Sequence, residues 1–177
     1  MRCIDVIFSS YTLSDEQFGF DVHWSFPEQE RIVIENAIRS MADYDVNNIS
    51  NLDHDLGIKL FESDYLNEQN HKENCQLWLP DFKNSVDLYK PSMKIAIEIE
   101  KTEKKRILHD ILKFINGSIT FVPKIEYGVL IIPKTYKRSS GKESSFFSTV
   151  KKEVPFYLSK IFESSRLKDI LFIVYEI

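Results

Sequence analysis

The stretch Val86-Asp87-Leu88-Tyr89-Lys90-Pro91-Ser92-Met93-Lys94-Ile95-Ala96-Ile97-Glu98-Ile99-Glu100-Lys101 reads as a β-hairpin. Ile95, Ile97 and Ile99 fall on one face of a strand, and Lys94, Ala96, Glu98 and Glu100 on the other. Val86 to Tyr89 forms the partner strand, with Lys90-Pro91-Ser92-Met93 as the turn. Folded back, the hairpin carries Asp87 opposite Ala96 to Glu98. Glu98 and Glu100 lie one strand repeat apart, about 7 Å. Three acids at one spot repel one another and call for a counter-cation, most simply a divalent hard metal.

The 177-residue chain, with 43% hydrophobic and 13% aromatic residues, is long enough for one globular domain with its own core, so 1–177 is expected to be a single domain. No apolar run reaches the roughly 20 residues of a membrane span. The N-terminal sequence lacks a signal-peptide pattern, and Cys3 and Cys75 lack metal spacing, so an intracellular, cytoplasmic protein is expected.

The net charge of −4 is unevenly spread. Residues 1–82 carry 5 basic and 16 acidic side chains, whereas residues 83–152 carry 15 and 7. The hairpin thus sits in a basic middle third, which fits a surface facing a polyanion or a solvated, lysine-rich one.

Pro27 opens a helix over 27–43, with Glu30 and Glu35 as its acids nearest the body of the domain. Residues 44–76, rich in Asp, Asn, Glu and His, suggest a variable loop with a short helix or strand such as Gly57 to Phe61, and Asp53-His54-Asp55 reads as solvated. Glu103 to Asn116 is a helix capped by Thr102 and stopped at Gly117. Ile107, Leu108, Ile111, Leu112 and Ile115 are its buried stripe; Lys104, Lys105, Asp110 and Lys113 cover the other side. Tyr127 to Pro133 is a strand buried on both faces. Lys134 to Lys142 is a basic loop, Ser144 to about Arg166 a helix interrupted near Pro155, and Asp169 to Ile177 a last strand. Strand–helix–strand units of this kind form right-handed crossovers with parallel strands, giving an α/β fold: a mixed central sheet flanked by helices.

Phosphodiester hydrolysis needs an activated water and neutralisation of the phosphate, which Mg²⁺ held by two or three carboxylates can supply. Asp87 and Glu98 are the candidate metal ligands, and Glu100 the candidate base. Lys137, Arg138 and Lys142 are candidate phosphate contacts.

Asp87 followed by Glu98-Ile99-Glu100, on a hairpin leading into a helix and the Gly128-Val129-Leu130-Ile131-Ile132-Pro133 strand, resembles the PD-(D/E)XK nucleases. Val86 stands where the motif name has Pro, and Glu100 where it has Lys. The Glu-x-Glu form is most similar to the BamHI/BglII/BstYI-type type II restriction endonucleases. The likeness covers roughly a third of the chain, Val86 to Pro133. It implies a restriction-endonuclease-like fold, Mg²⁺-dependent cleavage of double-stranded DNA at a short palindrome, and a homodimer. It also implies a further metal-binding Glu from an upstream helix, Glu35 before Glu30, with Lys101 as a displaced lysine or a strand-end ion pair. Another nuclease of this superfamily, in repair, recombination or phage defence, or a non-catalytic DNA-binding domain of the same fold, would share these features.

Overall fold

The computed structural model describes residues 7–13, 26–41, 44, 46–76, 84–101, 106–119, 124–137, 141–158 and 165–176. Six strands build one mixed sheet: β1 (Ile7–Thr12), β2 (Leu66–Asn67), β3 (Leu88–Lys90), β4 (Ile95–Ile99), β5 (Tyr127–Pro133) and β8 (Asp169–Glu176). They lie in the order β1-β8-β5-β4-β3-β2. β4, β5 and β8 are parallel, while β3 and β1 run antiparallel to their neighbours. A short helix, α3 (Lys72–Cys75), follows β2, and the two parallel crossovers pass through α4 (Arg106–Ser118) and α5 (Phe146–Leu158). The mixed sheet flanked by helices is the architecture expected from the sequence.

Strand alternation divides the core. Ile95, Ile97 and Ile99 of β4, with Val129, Ile131, Leu171 and Ile173, pack against α1 (Glu28–Arg39) and α2 (Leu52–Leu60). Ala96, Leu130, Ile132, Ile170, Phe172 and Val174 face the other way, towards α4 and α5. Gly128 permits that second contact, because a Cβ there would stand 2.4 Å from the Phe114 ring.

Four local expectations need correction. Residues 52–60 are a helix held by buried Leu56 and Leu60, preceded by a 3₁₀ turn over Val46–Asn51. Within Lys134 to Lys142, expected as a loop, β6 (Thr135–Lys137) pairs with β7 (Glu143–Ser145) as a two-stranded ribbon. Gly117 lies inside α4, pressed against Ile125, and does not end it. Finally, α4 is rotated from the expected face: Asp110 and Lys113 are buried at 0% and 7% exposure, while Leu112 is 46% exposed. Thr102, the expected cap, lies outside the described residues.

Candidate active site

The hairpin register pairs Leu88 with Ile97, Tyr89 with Ala96 and Lys90 with Ile95, which carries Asp87 to the level of Glu98. The Ile99 N–H donates to Asp87 Oδ2 at 2.7 Å, so the backbone of one strand fixes the acid of the other. Glu98 and Glu100 follow Ala96 onto the α4 side of the sheet. The Glu100 backbone is held by its own N–H to the Ile131 carbonyl, 2.8 Å, and by the Tyr175 hydroxyl donating to its carbonyl, 3.0 Å.

From α4 come the residues that sequence reading missed. Lys113 Nζ lies 2.7 Å from Glu98 Oε1 and 3.3 Å from Asp110 Oδ1. Arg106 Nε lies 3.4 Å from Glu100 Oε1. The missed signal was positional. Asp110 stands three residues after Ile107 and four before Phe114, at the centre of the buried stripe, where a charged side chain requires a partner.

Four carboxyls and two cations thus meet at the C-terminal end of β4. Burial pushes the Asp87 carboxyl up to about 6, against the Ile99 N–H and Lys113, which lower it. Burial, with Asp87 and Asp110 close by, holds Glu98 well above the usual carboxylate range. Burial and a hydrogen bond with Asp110 raise Glu100 to about 9. Neither Asp110 oxygen meets a donor in hydrogen-bond geometry, although Lys113 Nζ stands 3.3 Å from Oδ1. Burial opposes the Lys113 charge, but Glu98 and Asp110 outweigh it and raise the ammonium overall.

The oxygen-only donor set, including buried Asp110 oxygens that lack a hydrogen-bond partner, fits a hard divalent cation in its chemistry. Among the described residues, no three such groups converge closely enough to form a metal cage; Lys113 and Arg106 supply the positive charge here.

The other candidates separate. Glu35 does not join the cluster: it accepts from Ser10 Oγ at 2.6 Å and from Arg31 Nε at 3.0 Å. Ser10 sits on β1, three strands from β4, about 14 Å at ordinary strand spacing, and α1 covers the opposite face of the sheet. Glu30, on the same helix, pairs with Lys90 at 2.7 Å and accepts from the Tyr65 hydroxyl. Lys101 points away from the acids and binds Asp53 Oδ1 at 2.7 Å and the Ser50 carbonyl. That contact employs Asp53, and Asp55 accepts from the Tyr44 hydroxyl. The β6–β7 ribbon leaves β5 at the end of the sheet that carries Glu100. Lys137 takes part through its backbone opposite Glu143, and Lys142 is exposed beside it. Arg138 lies outside the described residues.

Against this geometry, a family profile described as "Putative halobacteria restriction endonuclease" matches residues 28–175. The chain belongs to this family. The crystal structure of restriction endonuclease BglII complexed with a DNA 16-mer superposes with a TM-score of 0.56. It covers 97% of this chain and 78% of that one at 9% identity, a likeness of fold. A search of curated proteins finds no match. The restriction-endonuclease-like fold expected from the hairpin is therefore the fold of the family. Among the described residues, no helix is long and apolar enough to cross a membrane.

Proposed function

We propose that the protein is a Mg²⁺-dependent endonuclease that hydrolyses DNA phosphodiester bonds at a short palindromic duplex site as a homodimer, in the manner of a type II restriction enzyme. The observation that carries this reading is the meeting of Asp87, Glu98, Glu100 and Asp110 with Lys113 at the end of β4. Asp87 and Glu98 would hold the cation, with Asp110 beside them. When bound, Mg²⁺ supplies Lewis-acid polarisation of the phosphoryl group and a lowered pKa for water.

The chain's own residues have distinct parts. Lys113 brings an ammonium to Glu98 from α4, standing in space for the lysine that Glu100 replaces in the motif. Glu100 is the base, and its raised carboxyl must lose its own proton before it can accept one from water. Lys137, Arg138 and Lys142 would carry the DNA backbone to this end of the sheet by phosphate contacts.

A second reading, a DNA-binding domain without catalysis, is favoured by one observation: Glu98 is already neutralised by Lys113. Plasmid cleavage with Mg²⁺ separates the two. The nuclease reading expects cutting by the native chain, and its loss in Glu98→Ala and Glu100→Ala. Native protein as inert as both variants sinks it. Discrete fragments support a palindromic recognition site, and a smear argues for a nuclease of another pathway.

A further inference from the structure

On the sheet face away from the acid cluster, a cavity of about 240 Å³ opens among Gly57, Ile58, Phe61, Asn67, Asn70 and His71. This is below the range of about 300–1,000 Å³ that drug-sized ligands fill, and suits a single ring system. The Phe61 and His71 rings are nearly parallel, at 12°, with centroids 6.4 Å apart. Stacked rings are spaced by about 3.4 Å, so the pair is too close to admit a third ring between them, and a flat ligand would stack on the exposed Phe61 ring instead. Phe61 is 59% exposed and Ile58 60%, so both are costly to leave in water and contribute little to the core.

The cavity also has a polar edge. Asn67 is buried at 7% exposure, and its Oδ1 accepts from the Gln69 N–H at 2.7 Å, which fixes the amide orientation. Its Nδ2 has no hydrogen-bond acceptor among the described residues and lies 2.4 Å from where a Cβ on residue 57 would stand. Glycine at 57 is what gives that amide its room. An oriented, unpaired N–H donor at the wall of a half-open apolar slot asks for an acceptor on a planar ligand.

We propose that this cavity binds a nucleobase, stacked on the exposed Phe61 ring, with an edge oxygen or nitrogen accepting from Asn67 Nδ2. Glu62, Asp64 and Glu73 are exposed nearby, so recognition rests on the base and not on phosphate. The site is independent of whether the protein cuts DNA, although the Asn67–Leu88 pairing and the Glu68 N–H bond to the Asp87 carbonyl, 3.0 Å, tie it to the hairpin.

The test is fluorescence titration of the full chain in chelator with 2-aminopurine riboside, and separately with a single-stranded oligonucleotide carrying one 2-aminopurine. Saturable quenching is expected, because the base stacks on entry. Phe61→Ala, an exposed position that should not disturb folding, is expected to weaken binding between about fivefold and a hundredfold. Asn67→Asp keeps the acceptor for Gln69 but removes the donor, and should weaken binding also; Leu112→Ala on α4 should not. Quenching by the riboside supports a free nucleoside as the source, and quenching by the strand alone supports a base on a polynucleotide. No quenching by either, or binding that survives Phe61→Ala, overturns the proposal. Cleavage is not read in this assay, so the nuclease reading stands or falls separately.

Discussion

The Lys113 ammonium lies 2.7 Å from Glu98 Oε1, and the two side chains keep only 8% and 2% of their exposure. An ion pair so far from water contributes little against two apolar residues, but removing one member leaves the other charge uncompensated. Lys113→Met is therefore expected to lower unfolding free energy by about 3 kcal/mol in urea titrations. The double variant Lys113→Met with Glu98→Gln should recover much of the loss. A double-variant loss equal to the sum of the two single losses would show that the pair is not coupled.

The raised carboxyls set a pH dependence. In the folded protein Glu100 keeps its proton to about pH 9 and Asp87 to about 6, whereas carboxyls of the unfolded chain release theirs near 4. Between those values the native state binds more protons, so stability falls as pH rises. The contribution is complete below about pH 4 and is lost as pH climbs through 6 and then 9. In chelator, urea midpoints should drop from pH 5 to pH 9, and Glu100→Gln should flatten the decline above pH 7. A native midpoint that rises over this range contradicts the raised carboxyls of Asp87 and Glu100.

Two lysines invite confusion, and the structure separates them. Lys101 bonds to Asp53 and the Ser50 carbonyl on the far side of β4, with both side chains partly exposed. Lys101→Ala should cost under about 1 kcal/mol and leave cleavage within a few fold of native. Lys113→Ala should reduce cleavage by at least about a hundredfold, the scale of one lost charge-stabilising group in an active site. Steady-state cleavage of both variants decides the matter, and the reverse order would restore Lys101 as the displaced lysine.

Glu35 offers a check on the metal ligands. Its carboxylate is held by Ser10 and Arg31, and those hydrogen bonds and charges outweigh burial to keep it below the ordinary range. Glu35→Gln should leave the Mg²⁺ concentration for half-maximal cleavage unchanged, whereas Asp87→Asn should raise it steeply or abolish cutting. A shift with Glu35→Gln would place that residue in the site after all.

The hairpin was legible because a period of two and a proline turn leave few alternatives, and its register follows from the turn. β5 was legible because a continuous run of buried apolar residues suits only an interior strand. Asp110 and Lys113 were not, because a charged residue on an amphipathic helix defaults to the solvent side unless the wheel is centred on its neighbours. Leu108 and Leu112 pulled that centre the wrong way. Of the helix at 52–60 only the second half was legible, as a short helix or strand near Gly57 to Phe61, because Asp and Asn in its first half favour turns; it forms because Leu56 and Leu60 find the sheet. Glu35 was placed on a helix correctly, but sequence alone does not say which face of the sheet that helix covers.

β8 lies between β1 and β5, in the interior of the sheet. The middle of the sheet is therefore completed by a segment that follows β1, β4 and β5 in the chain. Until residues 169–176 leave the ribosome, β1 has no partner and β5 has one open edge, with Leu171, Phe172 and Ile173 missing from both layers of the core. Tyr175, which braces the Glu100 backbone, is also still to come. Chains that stop before β8 would thus carry every acid of the hairpin without the frame that aligns them.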